Sequence, residues 1–266
     1  MPDRQRDELI ATAHALADAA RVETLHYFRD GDLGISNKAE AGFDPVTQAD
    51  HAAEAAIRTI LAERRPDDGI LGEEQGLTEG TSGLTWVIDP IDGTRAFLSG
   101  TPTWGVLVAL SDETGPRLGI IDQPYIGERF IGGLGEARLD GPHGSRALKT
   151  RSTVRLDEAV LFTTFPEVGT QAEQRAFHAL AAQARLTRYG MDCYAYALLA
   201  LGQIDLVVEA GLHPYDIQAP IAVIEAAGGV VTDWQGGSAA NGGRALAAAN
   251  PEIHAAALEI LSRVEG

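Results

Sequence analysis

Apolar residues recur with a helical period at the start of the chain. Leu9, Ala13, Leu16 and Ala20 fall on one stripe, and Leu25 and Phe28 extend it. After a loop rich in Gly and Asp comes DPVTQAD, in which Thr47 and Asp50 stand three apart as in a capping box. That spacing predicts a second helix through Ala53, Ile57 and Leu61, ended at Pro66, with the charges at 63–68 as its solvated end. The pattern then changes to short apolar runs: GIL (69–71), TWVID (85–89), WGVLVAL (104–110), RLGIID (117–122) and RFIGG (129–133). Turn residues separate them, so they read as strands. The Gly-rich stretch 132–146 reads as the break between two subdomains, 1–140 and 141–266. Beyond it AVLFTT, RLTRYG, IDLVVE and GGVVTD alternate with helical patterns over 170–184, 193–202 and 217–227. Strands alternating with helices predict an α/β layered architecture, a helix-rich sandwich of two sheet-containing subdomains.

Composition sharpens this picture in three places. The chain has 266 residues, 45% of them hydrophobic and 22% charged, enough for a sizeable core. A single cysteine, Cys193, supplies no disulfide within the chain, which fits a reducing cytoplasm; it reads as a core residue. The N-terminal residues form an amphipathic pattern rather than a signal peptide. No run is apolar and long enough for a membrane span. Lys plus Arg total 21 against 38 Asp plus Glu, a formal charge of −17. Such a balance argues against a nucleic-acid partner.

The acids cluster where strands end. In WVIDPIDGT, Trp86, Val87 and Ile88 read as a buried strand that delivers Asp89 to its carboxyl end, where Pro90 takes the chain out of the sheet. Asp92 follows on a turn short enough to aim both carboxylates into one space. Two such groups repel one another, and a divalent cation with a taste for oxygen removes the penalty. Gly93 and Thr94 come next, where glycine allows a ligand close to the backbone and a helix start would face an anion. Taken alone, D-x-x-D-G is equally a strand ending in a capped turn. Glu73 and Glu74, in GEE, follow another apolar run and offer a third carboxylate. Asp216, in HPYDIQAP, is either a helix N-cap or a fourth.

Together D-P-V-T-x-A-D, G-E-E, W-V-I-D-P-I-D-G-T and Y-D-I-Q-A, in this order, resemble the inositol monophosphatase superfamily over nearly the whole chain. The resemblance implies a five-layer αβαβα sandwich, a homodimer, and two or three Mg²⁺ per site, with Mn²⁺ as a substitute. By position it implies that Glu73, Asp89, Asp92 and Asp216, with the Ile91 carbonyl, hold the metal. It puts Gly93 and Thr94 at the phosphate and makes Asp50, Glu73 and Thr94 the residues that orient the attacking water. The implied chemistry is direct hydrolysis of a small-molecule phosphate ester, without a phospho-enzyme.

Substrate choice is read from the second half. P-Y-D-I-Q-A departs from the W-D-x-A-G usual in inositol phosphatases, and G-x-D-x-Y-A-Y with L-x-P-Y-D looks more like the histidinol-phosphatases of the superfamily. Histidinol carries an amine and an imidazole that is partly protonated near neutral pH. Its pocket should present carboxylates beyond those used by metal. Asp192 and Glu209 are the candidates, although Asp192 serves equally as a helix N-cap. Arg188 either acts near the site or pairs with a surface acid, and His213 is expected just behind the ligands. Phosphatases of inositol, sugar or nucleotide phosphates are the alternatives, and a catalytically silent metal- or anion-binding protein is the remote one.

Overall fold

The computed structural model describes residues 2–30, 36–37, 45–165 and 167–263. It begins with α1 (Asp3–Tyr27), β1 (Ser36–Asn37), β2 (Pro45–Val46) and α2 (Gln48–Arg64). There follow β3 (Gly69–Gly72), β4 (Gly76–Thr78), β5 (Thr85–Asp92), a short α3 (Thr94–Leu98), β6 (Gly105–Asp112) and β7 (Gly115–Gln123). Next are β8 (Glu128–Gly133), β9 (Glu136–Gly141) and β10 (Gly144–Ala147). The second half holds β11 (Val160–Thr163), α4 (Gln171–Ala181), β12 (Leu186–Tyr189), α5 (Asp192–Ala200) and β13 (Leu206–Leu212). It closes with α6 (Pro214–Ala226), β14 (Val230–Thr232), β15 (Gly243–Ala248) and α7 (Pro251–Leu261). One sheet runs β10-β9-β8-β7-β6-β5-β3-β4, a second β12-β11-β13-β15-β14, and β1 pairs with β2 as a small third.

Alternation along the strands explains the layers. Trp86, Ile88, Val106, Val108, Leu118 and Ile120 pack with Leu9, Leu16, Ile57 and Leu61 of α1 and α2. Their neighbours Val87, Leu107, Ala109 and Ile121 point the other way, into a middle core with Tyr196, Ile217 and Val223 of α5 and α6. The second sheet repeats the device. Val207, Ala245 and Ala247 face that same middle core, whereas Leu206, Val208, Leu246 and Ala248 face α4 and α7. With a period of two and both faces covered, such strands must be apolar throughout. The result is the five-layer αβαβα sandwich expected from the sequence.

The middle layer sits close against the first sheet. A Cβ on Gly119 would lie 2.3 Å from the Ala219 carbonyl oxygen, and one on Gly132 would lie 2.4 Å from the Val223 Cα. A Cβ on Gly105 would lie 2.7 Å from the Cys193 sulfur. Side chains at these points would lift α5 and α6 off the sheet.

Several expectations are corrected. The stretch 132–146, where the break between subdomains was expected, holds two hairpins: β9 and β10 extend the first sheet, and the first strand of the second sheet starts at Val160. Leu25 is exposed, and Thr24 takes the buried place on α1 by bonding the Ala20 carbonyl. Asp68 is buried rather than solvated, because Arg65, Ser82 and the Trp86 indole all donate to it. The chain does not leave the sheet at Pro90 but continues to Asp92.

Candidate functional site

The bulge that admits Pro90 also aims the carboxylates. Asp89 pairs with Leu107 but Asp92 with Gly105, so β5 carries one residue more than β6 across this interval. Proline can sit there because a bulge leaves its position unpaired. In an unbroken strand residues three apart face opposite sides, and the extra residue cancels that reversal. Asp89 and Asp92 therefore both line one cavity of about 570 Å³ on the middle-layer side.

Other elements converge on that cavity. β3 runs parallel to β5, and just beyond it the Glu73 N–H donates to the Ile88 carbonyl at 3.2 Å, placing Glu73 next to Asp89. Asp216 lies in the first turn of α6, where its carboxylate accepts the His213 N–H at 2.7 Å and closes a capping box. It is thus the third residue of the helix, not the N-cap. Carboxylate oxygens of Asp89, Asp92 and Asp216 lie within 4.8 Å of one another. Burial, then Glu73, Asp92 and Asp216, push the Asp89 carboxyl well above its usual range. Burial, then Asp216 and Asp192, do the same to Asp92. Asp216 is raised to about 6, mainly by burial. Acids that repel this strongly are stable together only with protons or a cation among them, and hard oxygen donors suit Mg²⁺.

The remaining candidates are placed as follows. Gly93, in the left-handed region at φ +85°, precedes α3, and Thr94 opens that helix with its hydroxyl on the Ile91 carbonyl at 3.2 Å. Ile91 is backed by Phe28, Phe97 and Trp104, a buried aromatic cluster. Asp50 closes the expected capping box of α2, accepting the Thr47 N–H at 2.8 Å and its hydroxyl at 2.5 Å, and does not itself line the cavity. Asp192 and Glu209 do line it. Asp192 is no N-cap: Met191 holds that position, while the Asp192 carboxylate accepts the Thr103 hydroxyl at 2.9 Å. Burial raises Asp192, against the Thr103 bond and Arg95. Burial also holds Glu209 at about 7, against donors from Thr164 and Tyr196. Arg188 lies exposed on the edge strand β12 and is not brought to the cavity. Cys193 is buried, its backbone N–H donates to the Asp92 carboxylate, and burial with the neighbouring Asp92 pushes its thiol well above the usual range.

Sequence reasoning missed Arg95 and Thr164 in the wall, and His213, expected just behind the ligands, lines the cavity itself. Arg95 stands over the Phe165 ring at 5.0 Å, and His213 stacks on Tyr215. Thr164 gives Glu209 both its N–H and its hydroxyl. Of the missed pair, only Arg95, adjacent to a motif, carried any signal in the sequence.

The inositol monophosphatase family model matches residues 5–265. The chain belongs to the inositol monophosphatase family. It is a phosphatase of that family, a phosphoric monoester hydrolase, and enzymes of the family generally use Mg²⁺, which the acidic cluster fits. Among curated relatives, bifunctional phosphatase IMPL2, chloroplastic, of Arabidopsis thaliana is 40% identical over 98% of this chain and 77% of that protein. A histidinol-phosphatase of Chlorobaculum parvum is 34% identical over 88% of this chain and 89% of its own. Among solved structures, an inositol monophosphatase from Zymomonas mobilis superposes with a TM-score of 0.84 at 37% identity, covering 98% of this chain and 100% of that one. Among the described residues, no helix is long and apolar enough to cross a membrane.

Proposed function

We propose that this family phosphatase hydrolyses L-histidinol phosphate to L-histidinol and phosphate. The observation that carries the reading is a second pair of carboxylates, buried Glu209 and half-buried Asp192, on the same cavity as the acidic cluster. A leaving group bearing an amine and an imidazole is cationic near neutral pH, and a cavity with acids in surplus favours it over a neutral polyol. The histidinol-phosphatase relative supports the same choice. The inositol monophosphatase structure keeps inositol phosphates as the second reading.

In this reading Glu73, Asp89, Asp92, Asp216 and the Ile91 carbonyl hold the ions, two or three Mg²⁺ or Mn²⁺. Bound there, the ions would supply Lewis-acid activation of water and of the phosphoryl oxygens. Gly93 and Thr94 seat the phosphate, so that its charge meets backbone N–H groups at the start of α3. Glu73 and the Thr94 hydroxyl orient the attacking water in line with phosphorus, with Asp50 behind them. Asp192 and Glu209 receive the amine and ring of the leaving alcohol. A homodimer in a reducing cytoplasm completes the proposal.

The test is phosphate release from L-histidinol phosphate and from myo-inositol 1-phosphate at matched concentrations, with Mg²⁺ and with chelator. A strong preference for the histidinol ester, lost on chelation, is expected. Preference for the inositol ester would overturn the substrate and leave the site chemistry standing.

A further inference from the structure

A buried acid outside the cavity governs one wall of it. Glu54, on α2, is wholly buried, yet it belongs to neither the acidic cluster nor the substrate pair. Its carboxylate accepts the Glu74 N–H at 2.8 Å and the Gln75 N–H at 3.1 Å. One helical turn on, Arg58 donates to the same carboxylate at 2.8 Å, and its other nitrogens reach the Gly76 carbonyl at 2.7 Å and the Thr78 hydroxyl at 3.0 Å. Glu54 and Arg58 thus grip the whole turn from Glu74 to Thr78. Gly72 fits against this grip: a Cβ there would fall 2.2 Å from a Glu54 oxygen. Glu73 stands between the two contacts, its N–H fixed on Ile88.

We infer that Glu54 is a positioning residue for metal binding, acting through the turn that presents Glu73. The inference rests on the reading of Glu73 as a ligand. Its physical basis is the geometry of the turn. With Gly72 packed against the carboxylate and the next two N–H groups bound to it, the backbone of residue 73 is held on both sides, which fixes the direction in which its side chain leaves the turn. Outer partners of this kind orient ligands that would otherwise sample many rotamers, and losing one costs about 10–100-fold in metal affinity. The same helix carries Asp50 one turn earlier, so α2 sets two inputs to the site as one rigid body.

The experiment measures Mn²⁺ binding to chelator-stripped, dialysed protein by the electron paramagnetic resonance of free Mn²⁺. Glu54→Gln places an amide donor where two N–H donors converge, and should raise the Mn²⁺ Kd about 10–100-fold. Turnover at saturating Mg²⁺ should stay within a few-fold of wild type, with the half-saturating Mg²⁺ concentration raised in step. Gly72→Ala attacks the same contact from the strand side and carries the test if Glu54→Gln fails to fold. Asp68→Asn is the control: it removes a comparably buried, arginine-paired carboxylate beside the other end of β3, and should lower Tm without changing the Mn²⁺ Kd. Wild-type Mn²⁺ affinity in folded Glu54→Gln or Gly72→Ala would overturn the inference, as would equal weakening in Asp68→Asn. Unchanged Mn²⁺ binding in Glu73→Gln would instead bring down the reading of Glu73 on which it rests.

Discussion

The Asp92 carboxylate accepts the backbone N–H of Cys193 at 2.6 Å, so an acid from the eight-stranded sheet is oriented by the first turn of α5 in the middle layer. The bond ties Asp92, a residue lining the cavity, to the second half of the molecule. Acid cluster and layer packing are therefore one structure, and substitutions at the cluster have separable effects on turnover and on stability.

In the proposed ligand set, Asp89→Asn removes a metal ligand and a repelling neighbour of Glu73, Asp92 and Asp216 together. Phosphate release should fall by at least about a thousandfold, in line with losing an electrostatic group at the reacting centre. In chelator the variant should melt at or above wild type, because the raised Asp89 carboxyl marks a folded state strained by its neighbours. Calorimetry with chelator and a phosphate assay with Mg²⁺ check the two halves. Retained turnover would remove Asp89 from the ligand set.

The pH dependence of the metal-free protein follows from the raised acids of the cavity, Asp89, Asp92, Asp192, Glu209 and Asp216, which outnumber the opposing His14 and His254 that burial lowers. Glu209 is held at about 7 against an ordinary 4.5, and Asp216 at about 6 against 3.8. Between those ordinary and raised values the folded chain keeps protons that the unfolded chain has released, so stability declines as pH rises. The contribution is whole below the unfolded values and gone once pH passes the folded ones. Asp68 and Glu173, lowered by arginine partners, are already ionised above about pH 5 and leave this window untouched. In chelator Tm should fall by several degrees from about pH 5 to 8. Mg²⁺ should flatten the slope by taking the place of the protons, whereas a flat profile in chelator would show that the acids are not strained.

Gly93→Ala meets two obstacles of different origin. The backbone is left-handed at φ +85°, and a Cβ would lie 2.7 Å from the Asp192 carboxyl carbon. The strain alone costs about 1–2 kcal/mol, and displacement of Asp192 should raise KM as well. Adding Asp192→Ala should recover part of the lost stability but none of the KM. Equal recovery of both would show that Asp192 has no part in substrate binding.

Glu209→Gln keeps shape but exchanges an acceptor for an amide where Thr164 supplies two donors and Tyr196 a third. KM for L-histidinol phosphate should rise about tenfold or more, while kcat on a small neutral ester such as glycerol 2-phosphate changes little, because the loss falls on the leaving group. A fall in kcat on both esters would place Glu209 in the hydrolytic machinery instead.

Much of the molecule was legible before its coordinates. The continuous apolar run around Val106 to Leu110 announced a strand covered on both faces, and the motifs placed Glu73, Asp89, Asp92 and Asp216 in one cavity. What escaped has physical causes. β9 and β10 were hidden because hairpin glycines look like those of a subdomain break in a string, and β15, carrying GRALAA, lacks the β-branched residues that mark strands. The bulge at Pro90 was hidden because only the pairing of β5 with β6 shows the extra residue. Thr164 and Tyr196 escaped because they reach Glu209 from other elements of the chain.

Gly105, Gly119 and Gly132, which let α5 and α6 lie against the first sheet, have a bearing on genetics. None of the three lines the cavity, yet each sets the depth at which Cys193 meets Asp92 or α6 brings Asp216 to its neighbours. In a saturation screen scored by turnover, these positions will cluster with the acids themselves and suggest remote control. They are spacers, and a tolerant readout such as expression level would tell them apart from residues that handle the phosphate.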